Sequence, residues 1–365
     1  MRKILCFFKS EIVLTLSLAA AVLSMPAAAP GLAFVDDVDW NVLMLLFALM
    51  TVVAGLKKCG LMDLVSIALL RRAGNTRRLC LMLSLACFFS AMLVTNDVAL
   101  ITFVPLTTAL LAAKPDTLIL TVSLETVAAN LGSMATPIGN PQNLYLYTHY
   151  GMSSAAFFRA VLPLALASLV LVVIASYAVK PEAFCLPARQ EQALRRGALW
   201  LHAAQLALCL LSVFGLLPKW ACFAAVLLST LLLDRSLLRQ VDYALLATFV
   251  CFFVFVGNLG RLPSVRAALG GVLAGNELEL GILVSQIISN VPAALMLSGF
   301  TNDACALMRG VDLGGLGTLV ASLASLISFK LYLKAPGARA ARYLGRFTLM
   351  NAAFLAVLYA LARLG

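Results

Sequence analysis

Two short polar strings, Thr95-Asn96-Asp97 and Ser289-Asn290-Val291-Pro292, interrupt long apolar runs of the chain. An Asn amide brings one oxygen and two N–H donors. Where a helix breaks at membrane depth, that oxygen and the freed backbone carbonyls can coordinate a bare cation, while half-helix N-termini can face an anion. Asp97 is the one charged side chain between Leu79 and Ala113. A carboxylate in hydrocarbon costs on the order of 3 kcal/mol, so it faces protein or a water-filled cavity. At helical rise that run would be about 50 Å long, well beyond one bilayer core. It must break, and Asn96-Asp97 is the natural place, with Pro105 further on.

A third string, Leu131-Gly132-Ser133-Met134-Ala135-Thr136-Pro137-Ile138-Gly139-Asn140-Pro141-Gln142-Asn143, is rich in Gly, Pro and amides yet lies between apolar segments. Such backbone survives at membrane depth only where protein buries it or where it lines a cavity. The alternative is an ordinary surface loop. The candidate substrate- and ion-binding residues are Thr95, Asn96, Asp97, Thr136, Pro137, Gly139, Asn140 and Asn143 in the first half. In the second they are Ser289, Asn290, Gly314, Gly317, Thr318 and Ser322. Asn96 and Asn290 are the expected oxygens for a coupling sodium ion. The glycines let a backbone approach a substrate, or else pack helices tightly. Asp97 and Glu125 are the candidates to carry a coupled proton, since a buried carboxyl exchanges one near neutral pH. Asp97 is the better placed because it sits at the break; its alternative role is to cap the following half-helix. For Glu125 the alternative is pairing with a basic residue.

The rest of the chain must hold these residues inside a bilayer. Its 365 residues are 62% hydrophobic and 12% charged, with mean hydropathy +1.00, which excludes a soluble globular protein. The formal charge of +11 comes from short Lys/Arg clusters between apolar segments, the pattern of cytoplasmic loops rather than of nucleic-acid binding. Nine Cys stand singly, with no C-x-x-C pair, and act as small hydrophobes. Only His149 and His202 occur, which excludes a histidine metal cage, and no cofactor is implied. No nucleophile–base set appears, so an intramembrane enzyme is not expected. A passive channel tolerates polar residues at midplane, but duplicated broken helices favour alternating access.

The N-terminus imitates a cleaved signal peptide, with Arg2-Lys3, an apolar core over 12–23 and Ala27-Ala28-Ala29. We prefer a retained first helix with a cytoplasmic start anchored by Arg2, Lys3 and Lys9. Six basic residues between Lys57 and Arg78 mark that region as cytoplasmic. Polar residues around Arg189, Glu191, Arg195 and Arg196 read as a linker. About ten crossing segments and two re-entrant ones are expected. The halves repeat: Asp39 aligns with Asp242, Gly55 with Gly257 and Asn96 with Asn290. Asn130–Thr136 matches Asp312–Thr318 without a gap, which puts Asn140 opposite Ser322 and Asn143 opposite Ser325. The expected domains are a first repeat over 1–180, a linker over 181–196 and a second repeat over 197–365. An inverted pair fits a binding cavity between repeats better than a parallel one.

These strings, with Gly314-Gly315-Leu316-Gly317-Thr318, resemble the ion transporter superfamily, over about Trp40 to Phe329. That group holds citrate-transporter-like anion permeases, divalent-anion/sodium symporters, arsenite efflux permeases and a class of sodium/proton antiporters. The resemblance implies an all-α polytopic membrane protein of two inverted repeats, each with a re-entrant helical hairpin and a broken transmembrane helix. It also implies a homodimer in which a transport domain moves as an elevator against a scaffold. The symporter branch has Ser-Asn-Thr at each tip; here each tip keeps the Asn and departs at the third place. The expectation is a cell-membrane permease, in a bacterial inner membrane, moving a small carboxylate or oxyanion coupled to sodium or protons. Arsenite efflux or sodium/proton exchange is the alternative. Substrate, coupling ion and direction are not set by these motifs.

Overall fold

The structure, a computed structural model, describes residues 11–27, 35–70, 72–183 and 194–364. Arg2, Lys3 and Lys9 of the proposed anchor, and Arg189 and Glu191 of the proposed linker, lie outside the described residues. Among those described there is no β-strand. The chain runs α1 (Ile12–Ser24), α2 (Trp40–Lys58), α3 (Leu61–Leu70), α4 (Thr76–Val94), α5 (Asn96–Leu111), α6 (Pro115–Ser133), α7 (Pro141–His149) and α8 (Ser154–Ser176). It continues with α9 (Arg196–Val213), α10 (Lys219–Leu233), α11 (Tyr243–Gly260), α12 (Pro263–Leu273), α13 (Glu277–Ile288), α14 (Asn290–Ser298), α15 (Ala304–Gly314), α16 (Leu323–Tyr332) and α17 (Ala340–Leu364).

Among the described residues six helices, α2, α4, α8, α9, α11 and α17, are long and apolar enough to cross a membrane. Counting the pair α12 and α13, bent by 109°, as one span makes seven. The protein is an all-α polytopic membrane protein. Fewer helices can cross alone than the ten segments expected, because several apolar runs are cut at depth. The apolar stretch from Leu313 to Leu333 is divided between α15 and α16 with a short 3-10 turn at Leu319–Ala321. Large apolar side chains such as Trp200, Leu232, Ile287 and Leu349 are exposed on the outer helices, as lipid contact requires.

Helix α6 lies at the centre. Nearly all of its side chains from Leu118 to Ser133 are buried, and it packs against α4, α5, α8, α16 and α17. A helix apolar on every side has no water-facing stripe and belongs inside a bundle. Among its polar groups, Thr126 meets Ser328 of α16 at 2.6 Å.

Local capping reproduces the alignment of the halves. Asp39 accepts from Val42 N at 3.1 Å to start α2, and Asp242 accepts from Leu245 N at 2.9 Å to start α11. The residue before each helix supplies an oxygen to an otherwise orphan N–H. The two helices run in opposite directions. Lys58, at the end of α2, bonds Asp234 at 2.6 Å just ahead of α11. Arg261, at the end of α11, bonds Asp37 at 2.9 Å just ahead of α2.

The ends of the interrupted runs also meet. Thr76, at the start of α4, donates its hydroxyl to Lys180 O at 2.5 Å and its N–H to Glu182 O at 2.9 Å. Lys114, just past α5, reaches the Glu182 carboxylate at 2.6 Å. In the second half Glu277, at the start of α13, accepts from Thr301 just past α14 at 2.8 Å. Helix α1 packs on α11, where Asn258 donates to Ser24 Oγ at 2.9 Å.

Candidate functional site

Both interrupted runs break in the same way. Thr95 has φ 73° and ψ 154°, and Ser289 has φ 77° and ψ 154°. These are the only non-glycine residues with positive φ among those described. This backbone region is nearly reserved for glycine and costs on the order of 1–3 kcal/mol per residue. The next residue then opens a new helix, and its own side chain accepts the first free N–H. Asn96 Oδ1 takes Asp97 N and Asn290 Oδ1 takes Val291 N, each at 3.0 Å.

The loops after α6 and α15 are held against these breaks by matching bonds. Thr136 donates its hydroxyl to Met92 O at 2.5 Å, and Thr318 donates to Gln286 O at 3.2 Å. Met92 precedes Asn96 by the same interval as Gln286 precedes Asn290. Close backbone approach completes the fit. A Cβ on Gly132 would overlap the Phe88 carbonyl of α4, and one on Gly314 would overlap Ser285 and the Gly281 carbonyl of α13. Gly139 is pressed on the Ser133 backbone, and Gly317, at φ 118°, on the Gln286 amide. At these last two positions the glycine serves loop packing. Pro137 is buried beside them.

Two polar clusters cross between the halves, and they are not equivalent. In one, Asn130 of α6 accepts from Asn96 Nδ2 and from Ser322 Oγ, both at 3.0 Å. Its own amide donates to Ser325 Oγ at 3.2 Å and Gly315 O at 3.4 Å. In the other, Asp312 of α15 accepts at Oδ1 from Asn140 Nδ2 at 3.3 Å and Gln142 Nε2 at 3.4 Å. Asn140 also caps α7, taking Asn143 N at 2.8 Å. Asn143 donates to Met134 O at 3.1 Å. Asp312 Oδ2 and Asn143 Oδ1 are buried and have no hydrogen-bond partner.

Between the clusters lies a small chamber, about 20 Å³, lined by Asn96, Asp97, Pro141, Gln142, Asn290 and Ser322 among others. One water or small ion fills that volume. Four half-helices, α5, α7, α14 and α16, begin at this chamber, with Asn96, Pro141, Asn290 and Leu323 on its wall. Each helix N-terminus carries roughly half a positive charge, so together they present about two. A wider cleft of about 280 Å³ adjoins it, sharing Asp97, Pro141 and Leu245 and reaching Thr95, Lys57, Gln240 and Asp242. Its size approaches that of a small-ligand site. Just past α10, the Lys58 ammonium and Ser236 hold the Asp234 carboxyl down to about 2. A further cavity, about 610 Å³ between α2, α3, α4 and α9, is almost entirely hydrocarbon-lined and offers an ion nothing.

Thr95, Asn96, Asp97, Asn290 and Ser322 are thus brought to one connected space. Ser289 sits beside it, 3.4 Å from Asn290 Oδ1. Thr136, Pro137, Gly139, Gly314, Gly317 and Thr318 line neither polar cavity and shape the loops instead. Asn140 and Asn143 belong to the Asp312 cluster. Glu125 is wholly buried on α6, bonded to Thr107, with its other oxygen unpartnered, and faces no polar cavity. Asn130, Gln142, Asp312 and Ser325 were not singled out from sequence. The signal was present, since Asn130 and Asp312 head the ungapped match. No group of His, Cys, Asp or Glu able to hold a metal occurs among the described residues.

Comparison with known proteins agrees with this architecture. The family model described as citrate transporter matches residues 4–328. The inner membrane protein YbiR of Escherichia coli K12 is 30% identical over 89% of this chain and 87% of its own length. The uncharacterized transporter MJ0456 of Methanocaldococcus jannaschii is 32% identical over 80% of this chain and 81% of its own. The silicon efflux transporter LSI3 of rice, Oryza sativa, is 34% identical over 36% of this chain and 27% of its own. The chain belongs to the citrate transporter family, and it is a multi-pass membrane transporter of the citrate-transporter-like ion permeases rather than an enzyme.

Proposed function

We propose that the protein is a secondary active permease for a small carboxylate or oxyanion, coupled to protons or sodium. The observation that carries this reading is the convergence of four half-helix N-termini on one chamber, two from each half. No Arg lines the chamber or its cleft. An anion would therefore be held by helix termini, the Asn96 and Asn290 amides and the Ser322 hydroxyl. The coupling cation offsets charge at the same place, at the Asn96 and Asn290 oxygens for sodium or at a carboxyl such as Asp97 for a proton.

The alignment of the halves, with α2 and α11 running oppositely, supports two inverted repeats divided at 181–196. The meeting ends of α4 with α5, and of α13 with α14, support re-entrant hairpins whose tips are Thr95 and Ser289. The cleft opens beside Lys57, on the basic face that the positive-inside rule assigns to the cytoplasm. This is an inward-facing arrangement, with the N-terminus cytoplasmic. Alternating access then proceeds by an elevator, the two hairpins moving together against a scaffold that pairs two copies in the cell membrane.

A thermal-shift screen of purified protein against citrate, other small carboxylates, oxyanions and sodium tests the reading. A ligand at a hundred times its Kd stabilises the folded state by about 2.7 kcal/mol. One anion is expected to raise the Tm, with the shift abolished in Asn96→Ala and Asn290→Ala. Shifts that persist in both variants contradict the site. The second reading, export of a metalloid acid, draws on the silicon efflux relative, whose match spans 36% of this chain. Silicic or arsenous acid producing the shift in place of carboxylates would select it.

A further inference from the structure

The two crossing clusters have the same plan but different chemistry. At the Asn130 position every side-chain hydrogen-bonding group is used: two donors reach its oxygen and its amide reaches two acceptors. At the equivalent position the second half carries Asp312, about 97% removed from solvent by its 3% exposure. Its Oδ1 is satisfied by Asn140 and Gln142. Its Oδ2 is not, and neither is Oδ1 of the fully buried Asn143, whose amide donates to Met134 O.

Leaving a polar atom unpaired in an apolar interior is costly. One added proton on Oδ2 removes the buried negative charge and makes that oxygen a donor. Sodium is the poorer occupant, because both amide donors near the carboxylate already point N–H groups at it. We propose that Asp312 is the site at which the coupled proton is held, on Oδ2, during transport. This rests on the permease reading above and names its coupling group.

The link to substrate is Gln142, whose side chain bonds Asp312 and also lines the chamber. Asn140 bonds the same carboxylate and caps α7, one of the four converging half-helices. Gaining or losing the proton therefore changes the charge behind two groups that shape the chamber.

No other charge competes for Asp312. On the helices packed against α15, Glu277 is bonded to Thr301, and Glu279 to Arg363 and Tyr359. On α7, Tyr145 bonds Ser298 and Tyr147 bonds Ser154, while His149 stacks on Tyr145. Arg309 of α15 and Arg159 of α8 line a separate cavity near Leu364. On α6 Glu125 is bonded to Thr107, and Asp116 pairs with Arg342 of α17 at 2.9 Å. Cys305 of α15 and Arg346 and Tyr343 of α17 complete the set.

The test uses infrared difference spectroscopy of the full chain in lipid, titrated with acid and without substrate. Asp312→Asn places there the residue that the first half carries natively, so folding is expected to survive; Tm and gel-filtration profile check it. A carboxylic-acid C=O band that titrates in wild type and in Asp97→Asn, and is missing in Asp312→Asn, is the expected result. A band unchanged in Asp312→Asn overturns the proposal. So does its displacement by sodium chloride, but not by choline chloride, at fixed pH, which makes the site a sodium site. The transport arm uses citrate as the probe in proteoliposomes. One coupled proton gives about tenfold accumulation per pH unit of gradient. That ratio is expected to fall to one in Asp312→Asn and to recover in Asp312→Glu. Wild-type protein that binds no anion and moves no citrate refutes the permease reading, whereas the infrared band decides Asp312 by itself.

Discussion

The bond between Asn130 and Ser322 joins the first half to the second at the wall of the chamber, and a double-mutant cycle isolates it. Both side chains are buried, with exposures of 5% and 1%, and the contact is 3.0 Å. Interhelical hydrogen bonds in membranes are worth about 0.6 kcal/mol on average and about 1.7 at most, because the unfolded chain also finds partners. We expect a coupling energy of about 1 kcal/mol between Asn130→Ala and Ser322→Ala. The single change Asn130→Ala removes all four bonds of this side chain and is expected to cost roughly 2–3 kcal/mol at the same per-bond value. Reversible unfolding in mixed lipid and detergent micelles measures each corner of the cycle. Thr318, whose bonds go to Gln286, is the control: paired with Asn130→Ala it should be additive within about 0.5 kcal/mol. A cycle for Asn130 and Ser322 that is also additive, or singles that cost nothing, would refute the cross-half network.

Gly132→Ala forces a methyl against the Phe88 carbonyl, a backbone atom that cannot swing away. It is expected to destabilise by about 1–3 kcal/mol, while Gly260→Ala, which meets open space, should stay within about 0.5 kcal/mol; thermal unfolding compares them. Lys58 and Asp234 form a half-exposed pair at 2.6 Å, so Lys58→Ala should cost less than about 1 kcal/mol and less still in high salt. Because the folded Asp234 carboxyl is held down to about 2, that contribution is full above the ordinary carboxylate range and is lost as pH falls through about 2. A stability difference between wild type and Lys58→Ala that grew with acid would contradict this sign.

Much of the site could be read in the residues because it depends on rules local to the chain. An apolar run too long for one helix must break, and the polar string Thr95-Asn96-Asp97 marks where. A like polar string inside an apolar run marked Ser289-Asn290. The internal alignment made Asp39 and Asp242, and then Asn140 and Ser322, comparable positions, and the structure places all four at helix starts. What could not be read was which side chains meet across the halves. Asn130 and Asp312 sit at helix ends, where nothing in their own segments says that Ser322 or Gln142 will arrive. Nor did local rules separate the loop-holding work of Thr136 and Thr318 from lining a cavity, since a hydroxyl serves either purpose. Among the described residues fewer helices are long enough to cross alone than the ten segments expected, for a related reason. Apolar composition reports burial, while length in one piece depends on breaks that form at depth.

Concentrative uptake by the reconstituted protein tests the central claim most directly. Proteoliposomes carrying an inward gradient of protons or sodium are given labelled citrate, followed by the other anions that shift the Tm. Accumulation above the external concentration is expected, collapsing when the gradient is dissipated and falling sharply and alike in Asn96→Ala and Asn290→Ala. Equilibration without accumulation, or full accumulation in either Asn variant, would contradict a coupled permease whose two broken helices share one chamber.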